Sequence, residues 1–200
     1  MYETPMTVAP VKPAPLSLPN LLTYGRIAAV PALVACLYFL QGDVARWSAF
    51  GLFVLAGLTD WLDGYLARAW EQQSTLGAML DPIADKLLVG AALLMLAHDG
   101  TIGEVSIWAA VIILCREILV SGLREFLAEL NVKVRVSVLA KWKTTVQMVA
   151  LAVLLAGPAG EKYIPGLETA GIALLWLAAV LTLWTGYDYL KAGVKHAISH

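Results

Sequence analysis

The chain has 200 residues, 60% of them hydrophobic and 14% charged, with a formal net charge of −1 and a mean hydropathy of +0.73. Soluble domains average about 45–50% apolar and about 25% charged, so lipid is the expected main solvent, and the near-zero charge offers no argument for nucleic acid. Cys36 and Cys115 lie far apart in apolar runs, which argues against a disulfide framework or a zinc site and reads each as a small buried hydrophobe.

Residues 1–18 carry Pro5, Pro10, Pro13 and Pro15 and a single basic residue, Lys12. They lack the basic start and apolar stretch of a signal peptide, and are expected to form a short cytoplasmic or interfacial arm. A spanning helix needs about 20 mostly apolar residues. Leu21–Leu40 and Trp47–Leu66 supply the first two, followed by Asp81–Ala97, Val105–Leu127, Ser137–Ala156 and Thr169–Tyr187. Gly100, Gly103, Gly157, Pro158, Gly160, Pro165 and Gly166 mark the breaks between them. The expectation is an all-α membrane protein: one six-helix transmembrane catalytic domain over residues 19–190, then a cytoplasmic tail over 191–200. No link is long enough for a second domain, and no internal repeat is visible.

Orientation follows from Lys and Arg, which concentrate on the cytoplasmic side. With the N-terminus inside, the outer links hold only Arg46 and Lys162, leaving the inner side 12 of the 14 basic residues. Trp47, Trp108 and Trp184 fall near helix ends, where aromatic belts are expected. The isolated His98, His196 and His200 are not expected to be ligands.

The same threading gathers polar residues at one depth. Arg26 starts the first helix, Asp60 and Asp63 end the second, Asp81 and Asp85 start the third. Arg116 and Arg124 lie in the inner half of the fourth, and Lys141 and Lys143 start the fifth. A charge at the bilayer centre costs about 2.5–3.5 kcal/mol on an insertion scale, so such groups usually face a cavity and mark function. Long basic side chains at helix ends, such as Lys191 and Lys195, can snorkel to the interface. Short aspartates cannot.

Asp60 and Asp63 share a helical face, as do Gly77, Asp81 and Asp85 at intervals of four. Asp81-Pro82 also fits a helix N-cap followed by a first-turn proline, which would leave Asp60, Asp63 and Asp85 unexplained. Four clustered carboxylates repel one another unless cations intervene. Hard divalent ions accept such oxygen ligands and bridge substrate phosphates; a pair of them can stabilise both oxygens of a displacement at phosphorus. Gly64 and Gly77 would admit a bulky ligand close to the backbone, or serve helix packing.

These residues resemble the signature of the CDP-alcohol phosphotransferase family, D-x2-D-G-x2-A-R-x8-G-x3-D-x3-D, at all eight fixed positions from Asp60 to Asp85. The resemblance implies a six-helix bundle, usually a homodimer, that transfers a substituted phosphoryl group and releases CMP. It implies Mg²⁺ or Mn²⁺, two ions, on Asp60, Asp63, Asp81 and Asp85, with Asp85 also the general base. Asp60, Gly64, Ala67, Arg68 and Gly77 would contact the CDP moiety. Pro19–Thr23 with Arg26, Arg116–Glu125 and Lys141–Met148 further resemble the phosphatidylglycerophosphate synthase branch, and cardiolipin synthases share parts of these stretches.

The expected reaction transfers the phosphatidyl group of CDP-diacylglycerol to glycerol 3-phosphate and releases CMP; the alternatives are phosphatidylglycerol as acceptor and, from another class, a divalent-cation transporter. A dianionic acceptor wants Arg forks or Lys charges, and Arg116, Arg124, Lys141 and Lys143 stand at the right depth. Glu117 is a poor partner for Arg116 on the argument that side chains one apart do not face each other on a helix. Lys133 and Arg135 flank a turn and read as solvated or headgroup contacts. A transporter would need charges near the midplane and an acidic outer route, which this chain lacks.

Overall fold

The computed structural model of the chain describes residues 18–69, 75–129 and 138–198. The side chains of Asp63, Gly64, Ala67, Arg68 and Lys141 lie outside the described set, as do Lys133, Arg135 and the expected arm up to residue 17. Among the described residues there are six α-helices and no strand: α1 (Leu18–Phe39), α2 (Gly42–Ala69), α3 (Thr75–His98), α4 (Ile107–Glu129), α5 (Val138–Glu161) and α6 (Leu167–Ile198). A short 3-10 turn, Glu104–Ser106, precedes α4. Helices satisfy their own backbone polar groups, which is what an apolar solvent demands.

All six expected helices are present, and several are longer than the apolar runs that announced them. α3 begins at Thr75, so Pro82 lies inside the helix and Asp81 is not its N-cap. α5 runs through Gly157 and Pro158 to Glu161, kinked where Gly157 takes φ 36° and ψ −124°. The expected break there is a bend. α6 continues to Ile198, so most of the segment expected as a tail is helical.

The helices pack in a closed order. α1 lies against α2 and α3, α2 against α5, α5 against α6, and α6 against α4, while α3 touches both α4 and α5. Their shared core includes Leu33, Phe53, Leu88, Ile113, Leu151, Leu154 and Leu175. Glycines allow close approach of α5 and α6: a Cβ on Gly171 would lie 2.7 Å from Leu154 Cδ2, and one on Gly160 2.4 Å from Leu167 Cδ2.

One end of the bundle, remote from Asp60, Asp81 and Asp85, is tied by short polar contacts. Arg46 Nη2 lies 3.0 Å from Asp99 Oδ2 and donates to Thr101 Oγ1 at 3.0 Å, joining α2 to the turn after α3. Lys162 pairs with Asp43 at 2.6 Å. Glu161 accepts the backbone N–H groups of Gly166 and Glu168, capping the start of α6.

The outer surface is apolar. Leu55, Leu94, Ile118, Val180, Trp108 and Trp184 are all exposed, a pattern that soluble monomers rarely tolerate over a large area. Cys115 is exposed and Cys36 half-buried, so the expectation of two buried thiols fails: an apolar residue here can face lipid instead of the core. Among the described residues, four helical segments are long and apolar enough to cross a membrane: Asn20–Phe39, Glu104–Ala128, Trp142–Glu161 and Leu167–Tyr187. α2 and α3, which carry the aspartates, are not among them.

Candidate active site

Away from the Arg46 and Lys162 contacts, the bundle opens into a cavity of about 640 Å³, a size typical of small-ligand sites. Asp60 reaches it from the last third of α2, while Asp81, Asp85 and Lys86 reach it from the first half of α3. The α4 side contributes Arg116, Glu117, Ser121, Arg124 and Glu125, with Lys143, Thr144 and Thr145 from the start of α5. The α2–α3 wall is thus mainly carboxylate, with Lys86 beside it. The α4–α5 wall holds three cations, Arg116, Arg124 and Lys143, against the two acids Glu117 and Glu125, which makes it the net positive, cationic wall. The intervals of four that put Asp81 and Asp85 on one face of α3 explain why both reach the cavity.

Arg26 of α1 stands behind the carboxylate wall. It is among the largest fully buried side chains, at 1% exposure, and its Nη1 lies 2.7 Å from Asp60 Oδ1 and 4.0 Å from Asp81 Oδ1. Thr23, one turn earlier, donates to Asp81 Oδ1 at 2.6 Å. A buried guanidinium needs an anionic partner to offset its lost hydration. Arg26 thus orients two carboxylates from one side and leaves their other faces to the cavity.

The cationic wall is also built from pairs. Glu117 Oε1 accepts from Lys143 Nζ and lies 3.4 Å from Arg116 Nη1. Glu117 is thus a partner of Arg116, contrary to the expectation from helix spacing. Both side chains are long enough to curl towards one another although their Cα–Cβ bonds diverge. Arg116 Nη2 also donates to Thr185 Oγ1 of α6 at 3.1 Å, and Lys86 donates to Ser121 Oγ across the α3–α4 seam. Asp85 stands in the field of both walls, with Asp60 and Glu117 as like charges and Arg26 and Lys143 as opposite ones.

Of the expected site residues, the cavity brings together Asp60, Asp81, Asp85, Arg116, Arg124 and Lys143. Gly77 is buried on α3. Asp63, Gly64, Ala67, Arg68 and Lys141 belong to the same helices, but their side chains lie outside the described residues. Sequence reasoning missed Lys86, Ser121 and the role of Glu117 as a bridge. The signal for Lys86 was its place beside Asp85; for Glu117 it was an acid next to Arg116 in the midst of the apolar run of α4.

The donor set suits a hard cation in chemistry: every candidate ligand is a carboxylate. Among the described residues no three such groups stand close enough to enclose an ion.

Comparison with known proteins agrees with this chemistry. A CDP-diacylglycerol–glycerol-3-phosphate 3-phosphatidyltransferase of Rickettsia bellii is 48% identical over 180 residues, covering 90% of this chain and 97% of the relative. The enzyme of the same name from Salmonella choleraesuis is 45% identical over 178 residues, covering 88% and 94%. A cardiolipin synthase (CMP-forming) of Oryza sativa is 42% identical over 201 aligned positions, covering 92% of this chain and 60% of its own. Residues 16–184 match the family described as CDP-alcohol phosphatidyltransferase, and the chain belongs to that family.

Proposed function

We propose that this protein transfers the phosphatidyl group of CDP-diacylglycerol to glycerol 3-phosphate, giving phosphatidylglycerol phosphate and CMP in phospholipid biosynthesis. The observation that carries the reading is a cavity that brings Asp60, Asp81 and Asp85 together with Arg116, Arg124 and Lys143. Relatives named for this reaction support it, aligned over most of both chains. The cardiolipin synthase of rice favours a second reading, with phosphatidylglycerol as acceptor, since that lipid too would bring a phosphate to the cationic wall.

The family generally uses divalent metal ions. Asp60, Asp63, Asp81 and Asp85 would hold Mg²⁺ or Mn²⁺, two ions in our reading. Bound there, the ions would neutralise the diphosphate and improve CMP as a leaving group. Asp60, Gly64, Ala67, Arg68 and Gly77 would seat the CDP moiety. Arg116, Lys143, Lys141 and Arg124 would receive the acceptor phosphate, Arg through its planar fork and Lys as a point charge.

Asp85 would take the proton from the acceptor hydroxyl as that oxygen attacks the lipid-linked phosphorus. The bond from that phosphorus to the CMP oxygen breaks as the new one forms. Arg26 and Thr23 hold Asp60 and Asp81 in register for this step. In place, the protein is a six-span integral protein of the cell (inner) membrane. Both termini and the cavity face the cytoplasm, where a soluble acceptor is met, and the assembly is a homodimer.

The test is incorporation of labelled glycerol 3-phosphate into lipid by purified protein in mixed micelles. Incorporation must require CDP-diacylglycerol, stop with a chelator and resume with Mg²⁺ or Mn²⁺. Incorporation that ignores CDP-diacylglycerol or the chelator would refute the reading.

A further inference from the structure

Glu117 joins three helices at the cationic wall. Its carboxylate accepts from Lys143 of α5 and stands 3.4 Å from Arg116 on its own helix. Arg116 in turn donates to Thr185 Oγ1, whose hydroxyl donates to the Leu181 carbonyl oxygen within α6 at 2.9 Å. α4 and α5 each pack on α6, and the Glu117–Lys143 pair spans the gap between them. Lys143 is 4% exposed and Glu117 18%, yet both line the cavity beside Arg116.

We propose that Glu117 is a positioning residue of the acceptor subsite, holding Lys143 and Arg116 at the spacing that a phosphomonoester meets. This rests on reading the cavity as the acceptor site. Two neighbouring cations with no anion between them would repel, and the Lys stem has several rotatable bonds. A carboxylate between them sets both and leaves the group with one net positive charge. An ammonium has three donors, so Lys143 can serve Glu117 and a phosphate oxygen at once. Fixing the groups beforehand lowers the ordering cost of binding. A bridge needed only for packing could lie behind the wall and be replaced by apolar residues at little loss of stability; Glu117 lies in the wall itself.

The experiment is steady-state CMP release by the purified full chain in mixed micelles, with each substrate varied in turn, alongside thermal unfolding. Glu117→Gln is expected to raise KM for glycerol 3-phosphate about tenfold, the scale of one charge-assisted contact. KM for CDP-diacylglycerol and kcat should stay within about twofold, as for sites that are not coupled. Because Glu117 acts through Lys143 as well as Arg116, the effects of Glu117→Gln and Lys143→Gln should be clearly less than additive, the share carried by Arg116 remaining. Glu117→Asp, which keeps the charge but is one methylene short of bridging both cations, should show the same selective rise. It carries the test if the Gln variant does not accumulate.

Equal rises in both KM values, additive effects of the two Gln changes, or a lower unfolding temperature with unchanged acceptor KM would overturn the proposal. Wild-type protein that releases CMP with phosphatidylglycerol but not glycerol 3-phosphate would sink the parent reading instead. The same kinetics, run with phosphatidylglycerol varied, would then judge Glu117 separately, since that phosphodiester meets the same two cations.

Discussion

Arg26 and Asp60 form an ion pair with unequal surroundings, which makes the two halves unequal to remove. The guanidinium is 1% exposed and the carboxylate 50%. Asp60→Ala leaves a buried cation whose nearest described carboxylate moves from 2.7 to 4.0 Å. Leaving a buried charge without its partner costs about 3–5 kcal/mol, and the remaining Asp81 puts this case at the lower end, about 3. Relief of repulsion between Asp60 and Asp81 works the other way, but both are well exposed and the guanidinium lies beside them, so this is under about 1 kcal/mol.

Arg26→Met removes the buried charge itself and fills much of its volume. Asp60 then turns to water and Asp81 keeps Thr23, for a loss of about 1 kcal/mol. For a chain of this size 1 kcal/mol moves the unfolding midpoint by about 2–4 °C. Asp60→Ala should therefore fall by about 6–12 °C and Arg26→Met by about 2–4 °C. The assay is thermal unfolding of purified protein in detergent, with chelator present and one scan rate throughout, because such unfolding is often irreversible. An Arg26→Met midpoint below that of Asp60→Ala would refute the reasoning.

Three further predictions follow from other parts of the molecule. Asp85→Asn should cut CMP release by about 10²–10⁴, the range for losing a general base, while binding of CDP-diacylglycerol remains measurable; near-normal CMP release would remove Asp85 from that role. Gly171→Val puts atoms where Leu154 and Val153 already stand, and overpacking of this kind costs about 1–3 kcal/mol, to be read as a lower unfolding midpoint. At the opposite end, Lys162→Ala breaks an exposed pair and should cost under about 1 kcal/mol. Arg46→Ala, which removes the partly buried contacts to Asp99 and Thr101, should cost about 1.5–3 kcal/mol; equal unfolding midpoints for these two variants would contradict that ranking.

The six helices were legible because each carries a long, mostly apolar stretch, broken in α2 and α3 by the aspartates, and a membrane solvent leaves a chain little else to do with one. Their ends were less so. Pro82 reads as a first-turn residue, yet α3 reaches back to Thr75; a proline lacks only one N–H and is tolerated in a helix when that donor's loss is accommodated. Gly157-Pro158 reads as a stop, and the chain bends there without leaving the helix.

At the site, Asp81 and Asp85 were legible from an interval of four on one helix. The partners of the aspartates were not. Arg26 and Asp60 are 34 residues apart in sequence, and only the packing of α1 on α2 and α3 brings the guanidinium to both carboxylates. Glu117 was set aside by a rule about Cα–Cβ directions that long side chains escape. Its partner Lys143 stands on another helix.

The central claim is that the cationic wall receives a phosphorylated soluble acceptor while the carboxylate wall serves CDP-diacylglycerol. It is tested most directly by CMP release from CDP-diacylglycerol with one acceptor at a time: glycerol 3-phosphate, phosphatidylglycerol, serine and glycerol. The account predicts CMP with glycerol 3-phosphate, matched mole for mole by phosphatidylglycerol phosphate, and background release with serine and glycerol. CMP release with phosphatidylglycerol and none above background with glycerol 3-phosphate would contradict it.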